Sequence, residues 1–334
     1  ELTGSTNFLF KEEIMKNKGI WLLQETTPEQ LQRVKDLAPD YEVIDGFSDS
    51  TLNFPAADIE IVYGWSSAKS DFLLENKDSH LKWIQAKSAG VDTMNLSLLN
   101  EKNIILTNAS GIHGVPIAES VFGMLLADTR GIKKAINQQT NKVWSQTESL
   151  VELKGKTMMI IGMGQVGKEV ARLAQAFGLN VIGVNRSGNP VTEVSEIIKQ
   201  DQIPKHIKRA DFVVNILPLT SETTNYYDDS FFTSMKKGAG FINVGRGPSV
   251  DTDALIRQIK NGQIGFAGLD VFKEEPLAKD SPLWDLPEVL ITPHISGVAE
   301  HFKKRLFAIF EENLTAYVAG EELPRNVIDY KYNY

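Results

Sequence analysis

The chain contains no cysteine among its 334 residues. It therefore has neither a disulfide framework nor a thiolate metal site, which is typical of an intracellular protein. No apolar run approaches the length of a membrane span, and residues 1–18 are polar and mixed in charge, unlike a signal peptide. These absences predict a cytoplasmic protein.

A concentrated basic surface is also missing from the sequence. Aspartate and glutamate (43) outnumber lysine and arginine (35), and both signs are spread along the chain, which carries a net charge of −8. We therefore expect no nucleic-acid partner. The lack of an apolar run of membrane-span length predicts that there is no membrane partner either. No spacing typical of metal ligands occurs, so no metal is predicted.

The sequence does contain short apolar segments that alternate regularly with helical patterns, as in parallel α/β sheets. The first set of predicted strands comprises Ile20–Leu23, Tyr41–Ile44, Ile59–Tyr63, Leu81–Ala86 and Ile104–Leu106. The second set comprises Thr157–Ile161, Asn180–Val184, Phe212–Ile216, Gly240–Val244, Gly265–Val271 and Val289–Ile291. The predicted helices include Glu29–Leu37, a long helix over Pro116–Asn141 and a second long helix over about Val298–Val318.

These two sets predict an α/β protein with two doubly wound parallel-sheet domains, a flavodoxin-like substrate domain and an inserted Rossmann coenzyme domain. The chain would cross between them along the first long helix and return along the second. We expect residues 15–109 and 299–334 to form the substrate-binding domain, and residues 110–298 to form the dinucleotide-binding domain.

The N-terminal segment stands apart from this organisation. Met15 comes just before the first predicted strand and follows Lys11-Glu12-Glu13, whose codons would resemble a bacterial ribosome-binding site. We therefore expect residues 1–14 to be an upstream or cloning-derived extension. The alternative is a native N-terminal arm that packs on a partner subunit.

A glycine-rich turn lies between the first strand of the second set and a helical pattern; it reads Gly162-Met163-Gly164-Gln165-Val166-Gly167. Such a turn holds a dinucleotide pyrophosphate on backbone N–H groups at a helix N-terminus. Leu179–Val184 then completes a βαβ unit. The turn therefore predicts dinucleotide binding rather than an ordinary glycine turn.

The segment Asn185-Arg186-Ser187 follows, where an acidic side chain usually binds the adenosine ribose. No carboxylate occurs between Gly178 and Glu193. Arg186 offers a cationic fork and Ser187 a hydroxyl group for a 2′-phosphate. The segment favours NADP(H), with NAD(H) as a possible second cofactor. Alternatively, Arg186 stacks on adenine or is solvated.

Three polar residues lie at or just beyond strand ends of the second predicted sheet: Arg246, Glu275 and His294. Ligands bind at this edge of open α/β folds. A guanidinium can hold a substrate carboxylate, and a protonated imidazole can supply the proton that accompanies hydride transfer. A carboxylate beside that imidazole would fix its orientation. Each residue alone has a structural explanation, but together they predict carbonyl reduction.

With these segments, the chain resembles the NAD(P)-dependent D-2-hydroxyacid dehydrogenases over nearly its whole length. Besides the glycine turn, the matching segments are Ser88-Ala89-Gly90-Val91-Asp92, Pro116-Ile117-Ala118-Glu119, Leu217-Pro218-Leu219-Thr220, Glu222-Thr223, Asn243-Val244-Gly245-Arg246-Gly247, Gly268-Leu269-Asp270-Val271-Phe272, Glu275-Pro276-Leu277 and Thr292-Pro293-His294-Ile295. Ser296 departs from the family pattern, in which glycine is usual. Asn185-Arg186 also departs, because it replaces the acidic residue of NAD-dependent members. Because of the second departure, the chain resembles the NADPH-dependent glyoxylate/hydroxypyruvate (2-oxoacid) reductase branch of the family more than phosphoglycerate dehydrogenase.

The resemblance also implies residue roles. Arg246 would clamp the substrate, Glu275 would partner the acid–base His294, and the backbone of Ala89 and Gly90 would receive the substrate carboxylate. The implied cofactor-binding residues are Gly162, Gly164, Gln165, Val166, Gly167, Asn185, Arg186, Ser187, Leu217, Pro218, Thr223, Val244, Asp270, His294 and Gly297. Among them, Asp270 would contact the nicotinamide amide.

The resemblance further implies a homodimer through the coenzyme domains, around the helix from Pro116 and the segment through Trp144. Two side chains in this region have open roles. His113 either faces the cleft or is structural at the helix start, and Trp144 lines either a substrate pocket or the dimer interface.

These observations predict an oxidoreductase that transfers hydride from NADPH to a small 2-oxoacid, such as glyoxylate or hydroxypyruvate, to give the D-2-hydroxyacid, with His294 as proton donor. One alternative is a dinucleotide-sensing regulator on the same fold, resembling the C-terminal-binding-protein corepressors, without significant turnover. Another is an NAD-requiring hydrolase or amino-acid dehydrogenase on a related frame. Arg246, Glu275 and His294 favour hydroxyacid chemistry over both.

Overall fold

Two parallel sheets organise the chain, one in each of two units. The computed structural model describes residues 17–48, 52, 54–91, 93–146, 150–192, 194 and 196–331. Unit 1 contains the described residues up to Ala109 and from Lys303 onward, and unit 2 contains Ser110–Phe302. The expected extension 1–14 lies outside the described residues.

Unit 1 is built on five short strands and the helices that connect them. Its elements are β1 (Gly19–Leu22), α1 (Pro28–Leu37), β2 (Glu42–Asp45), β3 (Ile59–Tyr63), α2 (Ser67–Ser70), α3 (Phe72–Glu75), β4 (Trp83–Gln85), α4 (Leu96–Glu101) and β5 (Ile105–Thr107). The strand order is β2-β1-β3-β4-β5, with all neighbours parallel. This is the flavodoxin-like order that the sequence predicts.

Unit 2 begins with two helices and continues as an alternation of strands and helices. Its elements are α5 (Gly114–Thr129), α6 (Ile132–Thr140), β6 (Thr157–Ile161), α7 (Gln165–Ala176), β7 (Asn180–Asn185), β8 (Glu196–Lys199), α8 (Ile203–His206), β9 (Phe212–Asn215), α9 (Asp229–Ser234), β10 (Ala239–Asn243), α10 (Thr252–Lys260), β11 (Ile264–Leu269) and β12 (Val289–Ile291). The parallel strand order is β12-β11-β10-β9-β6-β7-β8. Six of these strands have the Rossmann order, and the predicted fold class is confirmed.

A last helix, α11 (Phe302–Ala319), continues from unit 2 into unit 1. Its aromatic face packs on the first sheet, where Phe310 stacks on Tyr63 with ring centroids 4.4 Å apart and on Trp83 at 5.3 Å. Tyr317 of the same helix also stacks on Trp83. These rings bury a large apolar area, so the C-terminal helix completes the core of unit 1.

The sequence predicts the strands well and the long helices less well. Every predicted strand occurs, with ends that differ by at most two residues. The prediction of one helix over Pro116–Asn141 is wrong, because Gly131 adopts a left-handed conformation with φ +66° and separates α5 from α6. The helix predicted from about Val298 begins at Phe302.

The sequence does not predict the strand β8. Its four residues include only Ile197 and Ile198 as apolar side chains, between a glutamate and a lysine. As an edge strand it pairs only with β7, so it carries no continuous apolar run. Among the described residues, no helix is long and apolar enough to cross a membrane.

A buried carboxylate, Glu60, links the sheet of unit 1 to α11. Its Oε1 accepts hydrogen bonds from the hydroxyls of Tyr41 (2.7 Å) and Tyr317 (2.9 Å), and its Oε2 lies 3.5 Å from Lys82 Nζ and 3.6 Å from Lys18 Nζ. Burial alone would raise the pKa of Glu60. The two hydroxyls and the two ammonium groups outweigh burial and hold that pKa below its usual value.

We expect Glu60→Gln to lower the free energy of unfolding by about 1–3 kcal/mol at pH 7, because hydrogen bonds to a charged group are lost. A lowered folded-state pKa stabilises the protein above the unfolded pKa of about 4.3, and this contribution is lost as pH falls through the folded pKa. Urea unfolding of both proteins at pH 7 and at decreasing pH measures the effect. A stability difference that stays constant down to strongly acidic pH would contradict this origin.

Candidate active site

The dinucleotide turn lies between β6 and α7. Gly162 has φ +114°, and a Cβ at that position would lie 3.0 Å from the Ile216 carbonyl. A Cβ at Gly167 would lie 2.2 Å from the Gly162 carbonyl oxygen, so helix and turn require glycine to pack this closely. A Cβ at Gly164, the N-cap of α7, would meet nothing within 4 Å. The helix N-terminus thus adjoins open space, as an anion site requires.

The loop after β7 is folded by its own side chains. Asn185 Nδ2 donates to the Asn189 carbonyl at 2.9 Å, and Asn185 Oδ1 accepts from the Gly188 N–H at 2.6 Å. The Asn189 N–H donates to Ser187 Oγ at 3.1 Å. Asn185 and Ser187 therefore shape the loop that carries Arg186, a role that the sequence analysis did not assign to them.

The charged groups around this loop have both signs. Arg186 Nη2 lies 4.0 Å from Glu222 Oε2, and both side chains are exposed. Lys199 is the register partner of Asn185 on β8, and a Cβ at Gly188 would lie 2.9 Å from Lys199 Cγ. The lysine stem thus runs along the loop, which adds a second cation that the sequence analysis missed because β8 was not predicted.

The loop after β9 contains the predicted residues Leu217, Pro218 and Thr223. Thr223 Oγ1 donates to the Pro218 carbonyl at 2.7 Å and accepts from the Thr220 N–H at 2.7 Å. Its hydroxyl group therefore closes this loop on itself. Val244, after β10, is buried in the core of unit 2.

Arg246 lies three residues beyond the end of β10. Its Nη1 donates to the Gly245 carbonyl at 2.9 Å, and the side chain is partly buried. The next residue, Gly247, packs directly on the main chain of Phe272, because a Cβ there would lie 1.9 Å from the Phe272 carbonyl. The Phe272 N–H in turn donates to Glu275 Oε1 at 2.9 Å. The loops after β10 and β11 are thereby in contact.

His294 follows β12 and pairs with Glu275. Its Nδ1 lies 2.7 Å from Glu275 Oε2, and its side chain is 55% exposed. His294 has φ +54°, a strained conformation for a residue other than glycine. Its N–H donates to the Asp270 carbonyl at 2.9 Å, which supports this backbone. The structure thus brings Arg246, Glu275 and His294 onto contiguous loops at one edge of the sheet.

Asp270 is fully buried and anchors the loop that carries His294. Its Oδ1 accepts from Thr292 Oγ1 (2.6 Å) and from the Ile295 N–H (2.9 Å). Its Oδ2 accepts from Ser296 Oγ at 2.5 Å and from the Ser296 N–H at 3.1 Å. Ser296, the departure from the family pattern, therefore adds a hydroxyl to this anchor. The contact of Asp270 with the nicotinamide amide stays a prediction.

Two further predicted positions lie beside this loop. The Gly297 carbonyl is 2.7 Å from His113 Nδ1, and the imidazole of His113 stacks on Phe302 with ring centroids 5.7 Å apart. His113 thus has a structural contact at the start of α5. Trp144 is 97% exposed.

In unit 1, Ala89 and Gly90 follow β4 in a loop held through its carbonyl groups. Ser88 Oγ donates to the Gly90 carbonyl at 2.7 Å, and Asn108 Nδ2 donates to the Ala89 carbonyl at 2.7 Å. Their assignment to the substrate carboxylate stays a prediction. In the part of the chain that the structure describes, no group of three or more histidine and carboxylate side chains could hold a metal ion.

Sequence reasoning missed the side chains that support the site; these are Asn215, Asn243, Ser249, Thr292 and Ser296. They carry no charge; Asn215, Asn243 and Thr292 occur within segments already assigned as strand ends or family matches, and Ser249 and Ser296 lie one or two residues beyond such segments. Two weak signals were available. Asn215 and Asn243 are polar residues at the carboxyl ends of otherwise apolar strands, and Ser296 departs from the usual glycine.

Comparison with known families gives a match over more than half of the chain. Residues 122–296 match the family described as "D-isomer specific 2-hydroxyacid dehydrogenase, NAD binding domain". The matched range runs from within α5 to Ser296 and so contains the glycine turn, Arg246, Glu275 and His294.

Similar curated proteins are named as dehydrogenases and reductases. The chain is 32% identical to D-3-phosphoglycerate dehydrogenase of Methanocaldococcus jannaschii over 92% of its own length, but spans only 59% of that protein. It is 34% identical to glyoxylate/hydroxypyruvate reductase B of Klebsiella pneumoniae, with 75% of this chain and 79% of that protein covered.

Among solved structures, the chain is similar to the NADPH-dependent glyoxylate/hydroxypyruvate reductase of Sinorhizobium meliloti in complex with NADP and sulfate. The TM-score is 0.78 at 28% sequence identity, and the alignment covers 95% of this chain and all of that one.

Proposed function

Because the chain belongs to the D-isomer specific 2-hydroxyacid dehydrogenase family, we propose that it reduces a small 2-oxoacid, such as glyoxylate or hydroxypyruvate, to the D-2-hydroxyacid with NADPH. The observation that carries this proposal is the 2.7 Å contact between His294 Nδ1 and Glu275 Oε2, on loops contiguous with that of Arg246. A cytoplasmic location and the absence of nucleic-acid and membrane partners stay predictions from composition.

The residues of unit 2 fit nicotinamide adenine dinucleotide phosphate (NADP). The open space beside Gly164 at the start of α7 suits a pyrophosphate, and Arg186 with Lys199 suits a 2′-phosphate. When bound, the cofactor supplies the hydride that adds to the carbonyl carbon of the substrate. The chain's own residues must then bind the oxoacid and deliver a proton to its carbonyl oxygen.

His294 is the proposed proton donor. Since Glu275 lies against Nδ1, that nitrogen carries a proton and Nε2 of the imidazolium remains to donate to the carbonyl oxygen. Transfer of this proton completes the hydroxyl group and leaves neutral imidazole, which regains a proton from solvent because the side chain is half exposed. Glu275, held by the Phe272 N–H, stabilises the imidazolium and orients it.

Arg246 is the proposed substrate clamp. A planar guanidinium forms two parallel hydrogen bonds with a carboxylate, and it can also polarise an adjacent 2-oxo group. From unit 1, the backbone N–H groups of Ala89 and Gly90 are proposed to receive the substrate carboxylate.

The test of this function is oxidation of NADPH, followed by absorbance, with glyoxylate, hydroxypyruvate, pyruvate and branched 2-oxoacids offered in turn. We expect turnover with at least one of them and, for each substrate whose product is chiral, a product of D configuration on chiral chromatography. Tight NADPH binding without turnover of any oxoacid would favour a dinucleotide-sensing regulator and overturn the enzymatic proposal.

We also propose a two-fold homodimer through unit 2. Exposed apolar side chains occur along α6 and the following segment, namely Ile132, Ile136, Val143 and Trp144. Contiguous exposed apolar groups are typical of protein–protein interfaces. Light scattering at micromolar protein should give a dimer mass, and Ile136→Glu should lower it toward the monomer. Phe47→Glu, a change at a similarly exposed position in unit 1, is the control. A monomeric mass for the unaltered protein would refute the proposal.

A further inference from the structure

Four buried polar side chains join the carboxyl ends of β9 and β10; we call Asn215, Tyr227, Asn243 and Ser249 the strand-end cluster. Each is at most 1% exposed. None is charged at neutral pH, and none has a role in the proposed chemistry. Buried polar groups cost stability unless they are hydrogen-bonded, so their contacts indicate what they do.

Asn215 lies at the centre of the cluster. Its Nδ2 donates to Asn243 Oδ1 at 2.9 Å and to Ser249 Oγ at 3.0 Å. Its Oδ1 accepts from the Leu217 N–H and from the Tyr227 hydroxyl, both at 2.9 Å. A carboxamide has two donors and two acceptor lone pairs, so all four are used. The Leu217 N–H can only donate, which fixes the orientation of the amide.

One side of the cluster holds the main chain of Arg246. The Arg246 carbonyl accepts from Ser249 Oγ at 2.6 Å and from Asn243 Nδ2 at 3.2 Å. Asn243 Oδ1 also accepts from the Gly245 N–H at 3.1 Å. The backbone from which the Arg246 side chain extends is therefore fixed on both sides of its Cα.

The other side of the cluster reaches the dinucleotide turn. A Cβ at Gly245 would lie 2.8 Å from the Leu217 carbonyl oxygen, and a Cβ at Gly162 would lie 3.0 Å from the Ile216 carbonyl. The turn, the segment 216–217 and Gly245 are therefore in successive backbone contact. Asn215 spans the contact between Leu217 and Gly245. It accepts a hydrogen bond from the Leu217 N–H and donates to Asn243 and Ser249, which both bind the Arg246 carbonyl.

We infer that Asn215 and Ser249 are positioning residues that hold the substrate clamp Arg246 in register with the cofactor turn. The inference rests on the proposed function, because only there does Arg246 bind substrate. A clamp must place a carboxylate within a fraction of an ångström of the reacting geometry, and a shift of about 1 Å can cost about a hundredfold in rate. An arginine on an unsupported loop would lack that constraint.

Ser249→Ala tests the inference most directly, because it removes the hydroxyl that donates to the Arg246 carbonyl. We expect the KM for the oxoacid, and the Kd of oxamate on the NADPH-saturated protein, to rise about tenfold, the equivalent of one lost buried hydrogen bond. NADPH affinity, measured by fluorescence, should change less than about twofold. Asn215→Ala should raise the oxamate Kd about a hundredfold, because both supports of the Arg246 carbonyl lose their partner.

Ser70→Ala is the matched control. Ser70 is fully buried in unit 1, and its hydroxyl donates to the Ser66 carbonyl at 2.8 Å, so the same change costs similar stability away from Arg246. It should lower the thermal midpoint and leave KM and oxamate affinity unchanged.

The inference is wrong if Ser249→Ala lowers the thermal midpoint as the control does and leaves KM and the oxamate Kd at wild-type values. If Asn215→Ala does not fold, Ser249→Ala decides alone. If the unaltered protein neither turns over oxoacids nor binds oxamate, the proposed function and this inference are both wrong. If the unaltered protein is active and only the variants behave contrary to expectation, the inference alone is wrong.

Discussion

Replacing His294 with alanine is expected to lower kcat for oxoacid reduction by about 10²–10⁴-fold, the usual contribution of general acid catalysis. NADPH affinity should stay close to that of the unaltered protein, because the dinucleotide turn and the loop after β7 are separate from this side chain. Steady-state kinetics with the preferred oxoacid and NADPH fluorescence titration measure the two quantities.

Two further variants serve as controls for the expected loss of kcat in His294→Ala. Glu275→Gln keeps a hydrogen-bond acceptor for His294 Nδ1 but removes the negative charge that favours imidazolium, so its kcat should fall by less than that of His294→Ala. His80→Ala removes an exposed histidine of unit 1, whose Nδ1 lies 3.4 Å from Asp58, and should leave kcat unchanged. Near-normal turnover of His294→Ala would mean that the proton comes from another group.

The strands could be predicted because parallel strands buried on both faces consist of continuous apolar runs. Met158 to Ile161, for example, are all fully buried. The same rule fails for β8, an edge strand that buries only part of its side chains. The helix prediction fails for a different reason at the junction of α5 and α6, where the helical pattern continues through Gly131 and only the backbone conformation reveals the break.

That Arg246, Glu275 and His294 lie on loops at one edge of the sheet could be predicted, but the side chains that support these loops could not. Arg246 and His294 each follow a strand, and the joint occurrence of such residues at strand ends of one sheet indicates a ligand site. Asp270 holds the loop that carries His294 because Thr292 and Ser296, 22 and 26 residues later in the chain, donate hydrogen bonds to the Asp270 carboxylate. Asn215 likewise bonds to Ser249 across 34 residues. Such partners are set by tertiary packing, which local pattern does not contain.

The proposed cofactor preference rests on the missing carboxylate after β7, and the structure places two further charged groups beside this loop. Lys199 runs along the loop that carries Arg186 and supplies a second cation. Glu222 Oε2 lies 4.0 Å from Arg186 Nη2, so a 2′-phosphate bound as proposed would compete with this carboxylate for Arg186. Asn185 is used within the loop, where its Nδ2 donates to the Asn189 carbonyl. We therefore expect the proposed discrimination between NADPH and NADH to depend mainly on Arg186 and Lys199.

We expect a preference for NADPH over NADH of about a hundredfold in kcat/KM, since a charge-assisted hydrogen bond contributes about 1.5–3 kcal/mol and each 1.4 kcal/mol is about tenfold. Arg186→Ala should remove most of it, and Lys199→Met a smaller part. The double change Asn185→Asp with Arg186→Ala should invert the preference, because the new carboxylate would accept the ribose hydroxyls and repel a 2′-phosphate.

Arg172→Ala is the control for a change of charge alone. Arg172 is similarly exposed on α7 and pairs with Glu169 at 2.9 Å, so its loss should leave the cofactor ratio unchanged. The ratio of the unaltered protein should fall as salt rises, because an exposed ion pair is screened within about 10 Å at 0.1 M ionic strength. Equal use of NADH and NADPH at moderate salt would show that Arg186 does not bind the 2′-phosphate. The proposed dehydrogenase chemistry would survive that result, because we assign it to Arg246, Glu275 and His294 on other loops of unit 2.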